Sequence, residues 1–261
     1  MLLGVQTFTV HKAARKDLRK ALISLLDEGF SSFELAYIPF SKRSAIIASS
    51  LQKERPFVVT SLMVKPRILA SKPQEIVAFA KAVKAKNLVI SRLAVKGILG
   101  GEKGLASFAM EINHLIDLYA KEGLTMAYHH HNWEYVTLPS GETKLSFLLR
   151  NCPNLRFVND TFWSARAGKN PAVQIKEFGK RLLGVHLRDI HDEESGLKAK
   201  AKDCELGKGF TDFHDVIAAA KEVGAEYCVI EQKTTTPLKS LETSRNHLKK
   251  KGLLSSFEHE K

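Results

Sequence analysis

Short apolar runs rich in Val, Ile, Leu and Phe alternate with amphipathic stretches of helical period along this chain. A regular alternation of strands and helices predicts a parallel sheet. Eight such units in 261 residues, without a dinucleotide-binding glycine fingerprint, favour a closed barrel over an open doubly wound sheet. We therefore predict an α/β fold, a single (β/α)8 TIM barrel. Its strands are expected to begin near Leu2, Ser31, Pro56, Asn87, Leu124, Leu155, Leu182 and Glu226.

Residues at the predicted helix ends agree with this division. An apolar stripe that starts at Leu18 has helical spacing, and Gly29 stands where a left-handed C-terminal cap is expected. Thr211 is predicted to cap a later helix that Gly224 closes. Pro237 is predicted to open the last helix.

The composition is that of one globular domain. No linker or low-complexity tract divides the chain, so we expect a single domain over residues 1–261. No window approaches the roughly 18 apolar residues of a membrane span, and the N-terminus lacks the features of a secretory signal. The three cysteines are an odd number without CxxC spacing, which does not suggest a disulfide framework. We expect a soluble protein of the cytoplasm with no membrane partner.

The formal net charge of +12 admits acidic or phosphorylated substrates and also nucleic acid. The 40 Lys and Arg residues are, however, spread over every predicted helix, without the interleaved aromatic residues of a platform for single strands. A solvated basic surface is therefore expected, with a small molecule and not nucleic acid as the partner. The sequence leaves a homo-oligomer open.

Four of the predicted strands end in a side chain that can bind a metal. These strand ends carry His129, Asp160, His186 and Glu231 in chain order. The carboxyl ends of parallel barrel strands share one rim, so the four side chains are expected to meet there. Equal numbers of nitrogen and carboxylate ligands suit Mn, Fe, Co or Zn, whereas Mg and Ca prefer oxygen alone.

Several of these residues also have a structural interpretation. Side chains alternate along a strand, so His129 and His131 share a face and His130 points away from it. Asp160 is also suited to cap a helix, and Trp163 is suited either to the core or to a wall against a polyol.

The remaining candidates are charged. Arg188 can hold an anionic or carbonyl oxygen of a substrate, or pair with Asp189 or the acidic stretch Asp192-Glu193-Glu194. Glu34 and Glu231 are carboxylates on buried strands, which need either a functional role or an internal ion pair. We expect Glu34 at the same rim. The loop Gly207-Lys208-Gly209 either cradles a phosphate or forms an ordinary turn.

The motifs from Gly4 to Leu248 resemble those of the sugar phosphate isomerase/epimerase group of xylose isomerase-like TIM barrels. The most specific are Tyr128-His129-His130-His131-Asn132-Trp133-Glu134, Asn159-Asp160-Thr161-Phe162-Trp163, Val185-His186-Leu187-Arg188-Asp189, Glu205-Leu206-Gly207-Lys208-Gly209 and Val229-Ile230-Glu231-Gln232.

The resemblance implies one divalent metal ion, held by residues that match His129, Asp160, His186 and Glu231. Many relatives with epimerase activity have Glu where this chain has His129. The chain also departs from the family pattern at Arg188, where Lys is usual, and at Lys233, where Asp is frequent.

The expected chemistry is proton abstraction next to a carbonyl of a small sugar, keto-sugar or polyol, phosphorylated or not. Glu231, with Glu34 or His131, would supply acid and base, and Arg188, Trp163 and Glu134 would contact the substrate. Isomerisation, epimerisation and dehydration stay open.

Two other kinds of protein remain as alternatives. One is a carbohydrate-binding barrel without catalytic activity. The other is a nuclease that resembles AP endonucleases, which have a three-zinc cluster with added histidines at the ends of strands three and four. This chain has Ser61 and Ser91 at those positions, so such a cluster would lack ligands.

Overall fold

The computed structural model describes residues 1–191 and 202–257. Eight parallel strands close into a barrel, in which strands that follow one another in the sequence are neighbours and the last pairs with the first. The predicted α/β barrel is therefore confirmed, and each strand begins within two residues of its expected position. The barrel strands are β1 Leu2–Gln6, β2 Ser32–Ala36, β3 Val58–Val64, β4 Asn87–Ile90, β5 Thr125–His129, β6 Arg156–Asp160, β7 Leu182–Leu187 and β10 Tyr227–Ile230.

Helices follow the strands and surround the barrel. Two short strands, β8 (Asp189–Ile190) and β9 (Asp203–Cys204), pair antiparallel beyond the end of β7. The helices are α1 His11–Lys16, α2 Leu18–Asp27, α3 Lys42–Glu54, α4 Pro66–Ser71, α5 Pro73–Ala82, α6 Val95–Leu99, α7 Gly101–Ala120, α8 Lys144–Asn151, α9 Thr161–Arg166, α10 Pro171–Phe178, α11 Phe213–Val223 and α12 Pro237–Lys250.

The predicted helix ends are confirmed with one exception. Gly29 and Gly224 both have φ of +81°, a left-handed conformation in which a side chain would be strained. Pro237 is the first residue of α12. The prediction for Thr211 was wrong, because the neighbouring Asp212 accepts the hydrogen bonds from the first free N–H groups of α11. Within the described residues, no helix is long and apolar enough to cross a membrane.

Apolar side chains fill two layers, one between the barrel and its helices and one inside the barrel. Tyr227 occupies the interior, and a Cβ atom at Gly184 would lie 2.5 Å from its ring. This glycine therefore leaves room for the tyrosine to cross the barrel. The Tyr227 hydroxyl donates a hydrogen bond of 3.0 Å to Glu34 Oε2 on β2. A polar layer thus lies directly above the apolar interior.

Parallel pairing brings the ends of neighbouring strands together. Asp160 of β6 pairs in register with His186 of β7, and His186 pairs with Val229 of β10, two residues before Glu231. All strands run in the same direction, so these residues lie near the carboxyl rim of the barrel. The register alone therefore places three candidate ligands side by side.

Candidate metal and substrate site

The four predicted ligands meet at the carboxyl rim of the barrel. One ligand atom from each of His129, Asp160, His186 and Glu231 lies within 4.8 Å of every other, and all four residues are buried. His129 and Asp160 are the last residues of β5 and β6, His186 is in β7, and Glu231 directly follows β10. The chain therefore concentrates two imidazoles and two carboxylates from four consecutive barrel strands.

The separations within this group suit a metal ion. His129 Nε2 lies 3.2 Å from Asp160 Oδ2, and His186 Nδ1 lies 2.8 Å from Glu231 Oε2 and 3.8 Å from Asp160 Oδ2. Ligands at about 2.1 Å from a tetrahedral ion are about 3.4 Å from one another. Small side-chain movements would bring these atoms to coordination distance.

Buried polar atoms without hydrogen bonds provide a second indication. Both ring nitrogens of His186 approach carboxylates at 2.8 Å, yet neither contact has hydrogen-bond geometry. A buried polar atom without a hydrogen bond is unfavourable unless another partner satisfies it. A cation between the imidazoles and carboxylates would satisfy these atoms, so the residues fit a divalent metal.

The charged side chains of this group shift one another's pKa values. Burial acts to lower the pKa of His186, but the carboxylates of Glu34 and Glu231 outweigh it and raise the pKa to about 10. Burial acts in the opposite sense on Asp160 and Glu231, and there Arg188 and the histidines hold both pKa values below their usual range. Both carboxylates are therefore ionised at neutral pH, the form that a metal ion requires.

Glu34 lies behind the imidazole ring of His186, on the side opposite Glu231. It is the third residue of β2 and is fully buried. Its Oε2 accepts hydrogen bonds from Ser61 Oγ at 2.5 Å and from Tyr227, and its Oε1 lies 2.8 Å from His186 Nε2. The carboxylate thus holds the far nitrogen of His186 and turns Nδ1 toward Asp160 and Glu231. Carboxylates commonly orient metal-binding histidines in this way.

Arg188 connects the carboxylates of the group. Its Nη1 donates hydrogen bonds of 3.2 Å to Asp160 Oδ2 and to Glu231 Oε1, and its Nη2 donates one of 2.5 Å to Asp203 Oδ2. The guanidinium also lies over the rings of Phe162 and Trp163. Asp203 was not among the partners expected for Arg188, and Asp189, which was one of them, binds the glycine loop. The acidic stretch Asp192-Glu193-Glu194 lies outside the described residues.

Asp189 is the anion that the glycine loop binds. Its Oδ2 accepts hydrogen bonds of 2.9 Å from the N–H groups of Gly207 and Gly209, and its Oδ1 accepts one of 3.1 Å from Thr211 N. A Cβ atom at Gly209 would lie 2.2 Å from the carbonyl oxygen of Ile190. The sequence was compatible with either a phosphate-binding loop or an ordinary turn. In the structure the loop is a turn whose N–H groups bind the carboxylate of Asp189.

A cavity of about 1000 Å³ opens above the ligand group. Of the predicted site residues, five line the cavity, namely His129, His131, Trp163, Arg188 and Glu231. The other four, Glu34, Glu134, Asp160 and His186, do not. The lining consists of Gln6, Phe8, Thr9, His11, Lys12, Tyr37, Met63, Ser91, His129, His131, Phe162, Trp163, Arg166, Arg188, Lys202, Asp203, Glu231, Gln232, Lys233, Thr234 and Thr235.

Glu134 has its hydrogen-bond partners in the protein interior. Its carboxylate accepts hydrogen bonds from the Tyr128 hydroxyl and from His131 N, and the side chain is fully buried. Burial raises its pKa to about 7, although these hydrogen bonds oppose the shift. Glu134 forms a capping box with His131 at the start of the short 3-10 helix Asn132–Tyr135 and so supports the position of His131.

The three consecutive histidines divide as predicted. His129 and His131 line the cavity, whereas His130 accepts a hydrogen bond of 3.2 Å from Asp160 N at its Nε2. Burial lowers the pKa of His130 to about 3, so this ring is neutral. His131 stacks on Trp133, with ring centroids 4.3 Å apart, and contacts Trp163 at 5.1 Å. The two rings hold His131 at the side of the cavity.

The positions relevant to a three-zinc site contain no histidine. Ser61 lies in the middle of β3 and not at its end. Its hydroxyl donates a hydrogen bond to Glu34. The residues of β3 and β4 that face the cavity are Met63 and, just after β4, Ser91. In residues 1–191 and 202–257, no second group of His, Cys, Asp and Glu side chains comes together as the four ligands do.

Comparison with known proteins gives the same architecture. The sequence profile of a family described as xylose isomerase-like TIM barrel matches residues 27–251. No curated protein matches the sequence significantly.

Solved structures of similar fold include a sugar phosphate isomerase/epimerase from Parabacteroides distasonis, with 14% identity, a TM-score of 0.74, and coverage of 94% of this chain and 92% of that one. The probable 3-DHS dehydratase AsbF from Bacillus anthracis has 13% identity and a TM-score of 0.71, over 95% and 99% of the two chains. The IOLI protein, crystallised with a zinc atom, has 16% identity and a TM-score of 0.72, over 99% and 100%. At these identities the likeness concerns the fold.

Proposed function

This chain belongs to the family of xylose isomerase-like TIM barrels, and from that premise we propose that it is a metal-dependent isomerase or epimerase of a small sugar, keto-sugar or polyol. The observation that carries the proposal is the group of His129, Asp160, His186 and Glu231, which lies beneath a cavity at the carboxyl ends of the strands and contributes His129 and Glu231 to its lining. Active sites of this barrel architecture lie at that end.

We assign the four residues as ligands of one Mn, Fe, Co or Zn ion. When bound, such an ion acts as a Lewis acid that stabilises negative charge on substrate oxygens. The mixed nitrogen and oxygen ligands favour these metals over Mg and Ca. Glu34, which contacts His186 Nε2, supports the ligand set from below.

Glu231 is the leading group for proton transfer. It lines the cavity, and its Oε2 accepts a hydrogen bond of 3.1 Å from Gln6 Nε2. Its lowered pKa keeps it ionised at neutral pH, so it can take a proton from a carbon next to a carbonyl. Arg188 lies beside it and can donate hydrogen bonds to the carbonyl oxygen. Burial and the neighbouring His129 lower the pKa of His131, so its imidazole is neutral at rest and becomes positively charged when it accepts a proton.

The small number of carboxylates among the described residues that line the cavity favours isomerisation or dehydration over epimerisation. Two carboxylates, Asp203 and Glu231, line the described part of the cavity, and Arg188 pairs with both. Inversion at a carbon requires a proton donor and an acceptor on opposite faces, and His129 stands where many epimerases of the family have a second glutamate. A single base can complete a proton shift between adjacent carbons, or the loss of a β-hydroxyl group. Dehydration of a keto-polyol is therefore our second candidate.

Solvent deuterium exchange tests the proposal. Purified protein loaded separately with Mn, Co, Zn or Fe would be incubated in D2O with ketoses, keto-inositols and their phosphates. Turnover with deuterium incorporated next to the carbonyl supports isomerisation or epimerisation, and loss of water supports dehydration. Glu231→Gln should abolish the label, whereas the exposed surface variant Glu222→Gln should not. Binding of sugars without turnover or label would favour a non-catalytic barrel.

A further inference from the structure

Tyr37 has a strained backbone at the mouth of the cavity. It directly follows β2 and has φ of +56°, a left-handed conformation that residues with a side chain rarely adopt. Its ring is not buried, because 51% of the residue is exposed. Neither a tight glycine turn nor core packing therefore accounts for a tyrosine at this position. Residues in such conformations cluster at active sites and ligand-binding positions, and Tyr37 also lines the cavity.

The Tyr37 ring belongs to an aromatic surface that we call the first wall, formed by Phe8, His11 and Tyr37. Phe8 stacks on His11 with ring centroids 5.0 Å apart, and Tyr37 lies 4.9 Å from Phe8. All three residues line the large cavity. The wall follows β1 and β2 in the chain.

A second wall consists of His131, Phe162 and Trp163, which follow β5 and β6 and line the same cavity. Phe162 and Trp163 lie 4.9 Å apart, and Trp163 contacts His131. In the closed order of eight strands, β1 lies across the barrel from β5, and β2 lies across from β6. The two walls therefore stand on opposite sides of the cavity, with His129, Arg188 and Glu231 near its floor.

This arrangement separates two kinds of surface. The floor offers charged and polar groups to oxygen atoms, whereas the walls offer aromatic carbon atoms to the C–H groups of a ligand. Sugars and polyols have both, because hydroxyl groups surround a carbon skeleton with exposed C–H faces. A cavity of about 1000 Å³ also accommodates a monosaccharide with room to spare.

We propose that Tyr37 contacts the substrate, and that the slot between the two walls takes the carbon skeleton of a monosaccharide or a cyclic polyol. This inference rests on the proposed function and assigns Tyr37 a role in selecting the substrate.

Replacement by glycine separates strain from function. Lys84 provides a matched control, because it is exposed, has φ of +58° and does not line the cavity. Lys84→Gly should raise the melting temperature by about 2–4 °C through relief of strain. Tyr37→Gly should melt no lower than the wild type, because its exposed ring contributes little to folding. A fall of more than about 4 °C would assign the ring to folding and overturn the proposal.

Ligand binding is the second measurement. Calorimetric titration of the Mn-loaded protein with D-fructose and with myo-inositol should give an affinity that Tyr37→Gly weakens about three- to tenfold, as expected for loss of one aromatic contact. Tyr37→Phe and Lys84→Gly should bind like the wild type. Equal affinity in Tyr37→Gly, or no binding of either polyol to the wild type, would contradict the slot.

The two proposals fail in different ways. If the protein binds metal and transfers deuterium while Tyr37→Gly binds the polyol normally, the slot fails alone. If the polyol binds in a manner that depends on Tyr37, but no metal binds and no deuterium is incorporated, the proposed reaction fails and the slot stands.

Discussion

Glu34 Oε1 lies 2.8 Å from His186 Nε2, at the bottom of the candidate metal site. The other oxygen of this carboxylate is fixed by Ser61 and Tyr227, so the side chain has little freedom to move. His186 is consequently held with Nδ1 toward Asp160 and Glu231. The affinity for a metal ion bound at His186 Nδ1 would therefore depend on Glu34, although Glu34 would not contact the ion.

Glu34→Gln should therefore weaken metal binding about tenfold to a hundredfold, because the amide loses the charge that orients and polarises His186. The dissociation constant for Zn or Co can be measured by competition with a chromophoric chelator. Glu75→Gln, an exposed carboxylate on α5, is the control and should bind metal as the wild type does. Equal affinity in Glu34→Gln would show that Glu34 does not act through His186.

Asp160 has two roles that one substitution separates. Its Oδ1 accepts a hydrogen bond of 2.9 Å from Trp163 N at the start of α9, and its Oδ2 faces His129 and Arg188. Asp160→Asn retains an oxygen for the cap but loses the charge. Metal analysis should fall from about one equivalent to a small fraction of one, because a neutral amide is a poor ligand. Full metal content in this variant, with helical circular dichroism preserved, would leave Asp160 as a cap alone.

The sequence predicts the barrel and the residues at its strand ends, because these depend on the hydrophobic periodicity and on the order of the strands. His129, Asp160, His186 and Glu231 were identifiable because each stands at the end of an apolar run, and parallel strands share one rim. Glu34 was expected to supply acid or base at the cavity, but it does not line the cavity, and its carboxylate contacts His186, Ser61 and Tyr227. These partners are far away in the sequence, so no local pattern shows them. Asp203 gave no signal, since its contact with Arg188 depends on the antiparallel pairing of β9 with β8, which places Asp203 opposite Ile190.

Glu134 should make the stability of the protein depend on pH. Burial raises its pKa from 4.5 to about 7, so the folded chain binds more protons than the unfolded chain between these values. The free energy of unfolding should therefore fall as pH rises from about 4.5 to about 7 and should then stay level, with a total change on the order of 3 kcal/mol. Glu134→Gln cannot ionise and should not show this fall.

Urea unfolding at pH 5 and pH 8 can measure this effect as the difference between the wild type and Glu134→Gln. The glutamine can still accept the hydrogen bond from His131 N and can donate one to the Tyr128 oxygen. The variant should gain stability relative to the wild type as pH rises. A constant difference between the two proteins would mean that Glu134 ionises at its ordinary pKa. The exposed control Glu222→Gln should follow the wild type at both pH values.

Arg188 balances the negative charge of the site when no metal is bound. It is 6% exposed and contacts three carboxylates, Asp160, Asp203 and Glu231. Arg188→Met removes this charge and leaves those carboxylates buried with less compensation, which should lower the free energy of unfolding by about 3–5 kcal/mol in EDTA. The matched control Arg19→Met breaks an exposed ion pair with Glu54 and should change stability little.

Added metal should restore much of this loss, because a divalent cation supplies positive charge to Asp160 and Glu231. The rise in melting temperature on adding Zn or Co should consequently be larger in Arg188→Met than in the wild type. Asp203 would remain without its partner, since it is not one of the four candidate ligands, so recovery should be incomplete. Adding Asp203→Asn to Arg188→Met should recover part of the remaining loss. An equal metal-induced rise in both proteins would mean that Arg188 and the metal do not act on the same carboxylates.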